Sequence, residues 1–178
     1  GVRRDLRGNP IEFDLFTNPG VPVRQVMGEL FQEDLAALGI KVNFELLGFD
    51  VITEKMTSTF EWDAIVLGLT GTFDPNGASN VWLSSGNLHM WHPLQKSPQT
   101  AWEAQIDEVW RAAQEAMDPN IRREYYDQFQ DIVAEQLPLF YTVTSQNNVA
   151  VRNHLRNATP DLIGGSIGSA WNFIWVDR

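Results

Sequence analysis

The sequence predicts an α/β fold with a mixed sheet flanked by helices, and three features of its 178 residues lead to that expectation. Residues 11–46 pass through strand, helix and strand periodicities in turn. Residues 62–69 form a nearly unbroken apolar run, and residues 100–138 hold two helical patterns, each with its own start signal.

Residues 11–17 (Ile-Glu-Phe-Asp-Leu-Phe-Thr) alternate apolar and polar, as a half-buried strand does, and Asn18, Pro19 and Gly20 end the strand with turn chemistry. From Pro22 onward Val23, Val26, Met27, Leu30, Phe31, Leu35 and Leu38 recur at helical spacing. Gly39 then supplies a residue that tolerates the left-handed C-cap conformation. Ile40, Val42, Phe44 and Leu46 alternate with Lys41, Asn43 and Glu45, which predicts a second strand directly after the cap. A short helix is expected over residues 50–60, with Asp50 as its N-cap and Val51, Ile52, Lys55 and Met56 on one face. The run over residues 62–69 (Trp-Asp-Ala-Ile-Val-Leu-Gly-Leu) reads as a central strand covered on both faces.

Residues 70–98 concentrate Gly, Asn, Ser and Pro with no sustained period, and so long an irregular stretch in a compact domain is usually functional or mobile. Thr100 and Glu103 form a capping-box pattern ahead of a helical face of Trp102, Ile106, Val109, Trp110, Ala113 and Met117. Asp118 and Pro119 restart the helix as N-cap and first residue, and Ile121, Tyr125, Phe129, Ile132 and Val133 mark its face as far as Pro138. Nine acids against three bases over residues 103–135 place more than half of the net charge on this hairpin, which is expected to be a solvated outer face. Residues 139–144 and 148–152 read as further short strands and 153–169 as loop. Trp171 and Trp175, near the end of the chain, need something to bury them.

The net charge of −10 repels phosphate backbones, so no nucleic-acid partner is expected. The absence of cysteine excludes disulfides, thiolate metal sites and cysteine nucleophiles. No apolar run approaches the roughly 20 residues of a membrane-spanning helix, and residues 1–9 lack the apolar core of a signal peptide. Seven Trp, ten Phe and three Tyr are enough for a sizeable core, with some left over for a ligand surface.

His89 and His92 stand at a spacing that a helix could turn onto one metal, but Pro93 and the Gly, Asn and Ser around them argue against a helix. No metal or other cofactor is expected. Gly-x-Ser-x-Gly is absent, and Ser166 between Gly165 and Gly168 reads as a loop residue. Gly68 and Gly71 lack the remainder of a phosphate-binding motif. The best physical case for a site is Leu69, Thr70, Gly71, Thr72, Phe73 and Asp74, which leave the carboxyl end of the most apolar run. Open α/β sheets place ligand crevices there, and the loop combines apolar walls with a few hydroxyls and one carboxylate. The alternative is a plain turn over residues 74–77.

The order of segments resembles a known family. The strand over residues 11–18, the helix ending Leu38, Gly39, Ile40, Lys41, Val42, the run over 62–68 and the Asp74, Pro75 turn carry the resemblance. So do the hairpin with Asp118, Pro119, Arg123 and Tyr126, and the stretch Glu135, Gln136, Leu137, Pro138, Leu139. Together they resemble the C-terminal lobe of the family 5 extracellular solute-binding proteins, the oligopeptide, dipeptide and nickel receptors of ABC importers, over roughly residues 1–155. The resemblance implies a type II periplasmic-binding-protein-like lobe, with no catalytic role, spanning residues 1–178. Residues 155–178 would return toward an N-terminal lobe of a longer parent chain.

It also implies a peptide or similar small solute trapped between two lobes, with that N-terminal lobe and the importer's permease subunits as partners. The implied location is periplasmic or extracellular, with room for a lipid anchor on the full-length parent. Leu69, Thr70, Gly71, Thr72, Phe73 and Asp74 would line the cleft. Peptide receptors of the family often carry Gly-Trp and then an aspartate that pairs with the peptide amine. Here Gly68 and Leu69 stand at the first pair and Thr72 at the aspartate, with Asp74 the nearest carboxylate, which argues against an ordinary di- or tripeptide. Two other classes stay open: a small carboxylate hydrolase acting on a sugar or ester, and, ranked last, an acidic interaction module.

Overall fold

The computed structural model describes residues 1–69, 74–144, 146, 148–158 and 174–177. It divides into two compact units, Gly1–Thr70 and Gly71–Arg178.

In the first unit the predicted strand, helix and strand form β1 (Glu12–Thr17), α1 (Pro22–Ala37) and β2 (Lys41–Leu46). They are followed by α2 (Phe49–Glu54), a π-helical turn (Lys55–Thr59) and β3 (Ala64–Ile65). The strand order is β2-β1-β3, and both pairings are parallel, Leu15 lying opposite Phe44 and Ala64. A mixed sheet was expected. Among the described residues this sheet is parallel throughout, because each neighbour of β1 is reached through a helical crossover that returns the chain in the same direction.

The central strand is β1, and the run after Trp62 is not. Leu15 and Phe16 point to opposite faces and both are buried. The apolar run pairs at only two positions and lies at the sheet edge. Beyond Ile65 it continues through one backbone bond, Val66 N–H to Phe16 O at 2.8 Å, and then the Thr17 hydroxyl takes the Val66 carbonyl at 2.9 Å. A side chain thus replaces the next rung of the ladder.

Leu15, Val42 and Val66 are the buried core of the sheet, with Phe13, Met27, Leu35 and Phe44 packed on it. Helix α1 ends as its sequence predicts: Gly39 adopts φ 80°, and the N–H groups of Gly39 and Ile40 return to the carbonyls of Ala36 and Leu35. Its apolar stripe is only half used, since Val23, Val26, Leu30 and Phe31 stay exposed. The helix approaches the sheet closely at buried Gly28, where an added Cβ would collide with the Phe44 ring. Gly28→Ala is therefore expected to cost about 1–3 kcal/mol by overpacking, read as a lowered midpoint in thermal denaturation. Asp50 is not the cap of α2: the helix begins at Phe49 after Gly48, and Asp50 sits in the first turn, where its charge favours the helix dipole.

The second unit contains a 3-10 turn (Pro75–Ala78), α3 (Ser79–Trp82), α4 (Ala101–Glu115), α5 (Pro119–Gln136) and an antiparallel pair, β4 (Leu155–Arg156) with β5 (Trp175–Val176). Both predicted helix starts are present. Thr100 and Glu103 make the reciprocal capping box, and the Asp118 side chain accepts from Asn120 N–H. The hairpin core gathers Val81, Trp82, Ile106, Trp110, Ala113, Tyr126, Phe129 and Val133. Trp110 meets Tyr126 and Phe129 edge-on, at ring separations of 5.3 and 4.9 Å.

Several expectations are corrected in this unit. Met117 and Ile121 are exposed, and Tyr126 joins Phe129 and Val133 as the buried face of α5 while Tyr125 and Ile132 pack against it part-buried. Residues 139–144 form no strand and expose Phe140, Tyr141 and Val143; residues 148–152 form none either, and among the described residues of this stretch pairing is found at Leu155 and Arg156. The hairpin is not an entirely solvated acidic face: Glu103 and Asp107 are buried on its inner side, while the other seven acids are exposed. Trp175 is half exposed on β5, and Trp171 lies outside the described residues.

Candidate functional site

At the carboxyl ends of β1 and β3 the first unit gathers Thr17, Asn18, Arg24, Gly68 and Leu69. The turn after β1 brings α1 back across the strand ends, which lays the part-buried Arg24 side chain beside Gly68. A Cβ at Gly68 would fall 2.5 Å from Arg24 Nη2, so a side chain there would make the guanidinium shift from this position. Arg24 Nη1 donates to Asn18 Oδ1 at 2.8 Å, and no carboxylate lies within ion-pair distance of it among the described residues. That leaves a positive charge with donors unspent where parallel strands end. Leu69 is exposed beside it.

Of the loop residues singled out from the sequence, Thr70, Gly71, Thr72 and Phe73 lie outside the described residues. Asp74 is the first described residue of the second unit, and its carboxylate is already engaged. Oδ1 accepts from Asn76 N–H at 2.9 Å as a helix cap, and the two oxygens take Arg122 Nη2 at 2.6 and 2.8 Å. Arg122 in turn lies over the Tyr126 ring, 5.7 Å from its centroid, and Gln114 reaches the Asn76 side chain. A ligand amine at Asp74 would have to compete with a guanidinium forty-eight positions away in sequence.

His89 and His92 do converge, but on a carboxylate. Glu103 Oε1 is met by His89 Nε2 at 2.9 Å, His92 Nδ1 at 2.6 Å and Gln95 Nε2 at 3.2 Å. Its other oxygen accepts from the backbone N–H and the hydroxyl of Thr100. Burial alone would raise the acid's pKa; the hydrogen bonds from His89, His92 and Thr100 outweigh it and bring the group down to about 2. Among the described residues, no group of three His, Cys, Asp or Glu side chains could hold a metal. One turn along, Asp107 accepts from the backbone N–H and hydroxyl of Ser84 and pairs with Arg111.

Sequence reasoning missed Arg24 and the Glu103 cluster. The only signal for Arg24 was a lone cation in the first turn of a helix after a strand. Glu103 was seen only as a capping residue.

None of the protein-family models compared with the chain matches it. Among curated proteins it is 25% identical over 154 residues to "Oligopeptide-binding protein AppA" of Bacillus subtilis, an alignment covering 85% of this chain and 27% of that protein. It is 30% identical over 122 residues to "Dipeptide-binding protein" of Pseudomonas aeruginosa, covering 68% of this chain and 22% of that protein. The chain is related to the family 5 extracellular solute-binding proteins. Among solved structures, a putative peptide-binding protein AppA from Clostridium difficile superposes with a TM-score of 0.74 at 19% identity, over 96% of this chain and 34% of that one. That likeness bears out the α/β, periplasmic-binding-protein fold expected for a solute-binding-protein relative. The chain spans roughly a quarter of the length of the two curated solute-binding proteins it was aligned with. Both are named as binding proteins. With its pKa brought down to about 2, Glu103 itself is unsuited to act as a general acid.

Proposed function

We propose that this chain supplies one wall of the solute site in the receptor of an ABC importer that takes up peptides or similar small solutes. The observation that supports the reading most is the alignment with an oligopeptide-binding protein over 85% of the chain. On this reading, residues 1–178 belong to the C-terminal lobe of a two-lobed receptor, outside the cytoplasm, which delivers its load to the permease subunits. Solute binds one lobe first and stabilises the closed form through contacts with the other, a population shift with no bond chemistry. Leu69, Thr70, Gly71, Thr72, Phe73 and Asp74 line the wall, Leu69 and Phe73 as apolar surface and the hydroxyls as hydrogen-bonding groups. Because Asp74 is spent on Arg122, the charge offered to solute in the first unit is the guanidinium of Arg24, suited to a carboxylate such as a peptide C-terminus.

The test is a calorimetric and NMR titration of the chain with N-acetyl-trialanine, which has no free amine to pair, its C-terminal amide and sucrose. The acetylated acid is expected to bind weakly, at millimolar concentration, and to shift Asn18, Arg24, Gly68 and Leu69, with the response lost in the amide and in Arg24→Gln. Submicromolar binding would overturn the assignment of the chain to a single wall. Equal responses to all three solutes would overturn the peptide-like ligand.

A further inference from the structure

His89 is fully buried, yet each of its two ring nitrogens faces an oxygen. Nδ1 stands 2.9 Å from the carbonyl of Val81, at α3, and Nε2 stands 2.9 Å from Glu103 Oε1, on α4. A carbonyl oxygen can only accept, so the Nδ1 contact needs a proton on Nδ1. The Nε2 contact then needs a second proton, on the ring or on the carboxylate. Four further donors decide between them: Gln95 Nε2, His92 Nδ1 and the N–H and hydroxyl of Thr100 all point at Glu103 and favour its ionised form. The Trp91 ring, 4.2 Å from the His89 ring centre, adds a face that favours a cation. His92 differs, because its single contact through Nδ1 is met by an ordinary neutral tautomer.

We propose that His89 carries both ring protons in the folded protein. The irregular residues 83–99 are thereby held to α4 by a buried imidazolium–carboxylate clasp whose formation takes up a proton. The described groups that face the clasp are the Val81 carbonyl from α3, Glu103 from α4, and Trp91, His92 and Gln95 from the segment itself; Asp107 on the next turn of α4 is turned to Ser84 and Arg111. The inference does not depend on which solute the protein carries. It makes the attachment of this segment sensitive to the proton activity of the surroundings.

The experiment uses the 15N-labelled chain at pH 7.5. Long-range proton–nitrogen spectra are expected to place both His89 ring nitrogens at protonated frequencies, with one unprotonated nitrogen on His92. Calorimetric unfolding in phosphate and in Tris, which differ in ionisation enthalpy, should reveal about one proton more released by the wild type than by His89→Gln. His92→Gln should keep that release. An unprotonated nitrogen on His89, a buffer-independent difference between wild type and His89→Gln, or a rise in unfolding midpoint with equimolar Zn2+ would each overturn the proposal. If His89→Gln fails to fold, the wild-type spectrum alone decides.

Discussion

Glu103→Ala is expected to lower the unfolding free energy of the second unit by about 3–5 kcal/mol, the cost of removing one partner from a buried, hydrogen-bonded charge cluster. The substitution strips five donors of their acceptor at once: His89, His92, Gln95 and two groups of Thr100. It also removes the capping box that starts α4, so helix and cluster fail together. Urea denaturation followed by tryptophan fluorescence reads the loss. The effect has a defined pH dependence. The folded-state pKa of Glu103, about 2, lies below the ordinary value of 4.5, so its stabilisation is fully present above pH 4.5 and disappears as the pH falls toward 2. The gap between wild type and Glu103→Ala should therefore narrow across that window. A gap that stayed constant from pH 6 to pH 2.5 would show that the carboxylate charge contributes nothing.

Trp110→Ala is the second large effect expected, about 3–5 kcal/mol for an aromatic truncated in a packed core. Trp110 is 1% exposed and stands between Tyr126 and Phe129, joining the faces of α4 and α5. Its indole N–H meets no acceptor among the described residues. Trp110→Phe keeps a ring against both neighbours and forfeits no hydrogen bond, so it should cost much less than the alanine variant. Equal losses from the two substitutions in chemical denaturation would mean that the ring kept by phenylalanine contributes nothing to the stability of the hairpin.

The elements legible in the sequence are those whose causes lie within a few residues. Thr100 and Glu103 are three positions apart and start α4 as expected; Asp118 with Pro119 does the same for α5, and Gly39 ends α1. The strands at β1 and β2 follow from side-chain alternation, which a local reading captures. The apolar run after Trp62 misled because length and hydrophobicity report burial and not position in a sheet. Whether a strand is central depends on its partners, and β1 alone has one on each side. The run over residues 139–144 misled for the same reason: no strand lies beside it among the described residues, and its apolar side chains stay exposed.

The candidate site divides in the same way. The sequence by itself determined the strand–helix–strand unit, the capped hairpin and the resemblance to a solute-binding lobe, since each rests on residues close together in the chain. Only the tertiary structure decided what the polar groups do. Asp74 looked like the carboxylate available to a ligand until Arg122, at the start of α5, was found closing on it. Arg24 looked like an ordinary helix residue until Gly68 was found beneath its guanidinium. The two histidines carried no assigned role, and in the structure both meet Glu103. In each case what the group can offer is decided by a residue 11 to 48 positions away that packing brings beside it. Coulomb and hydrogen-bond energies depend on that distance in space, which the spacing of residues along a chain does not carry.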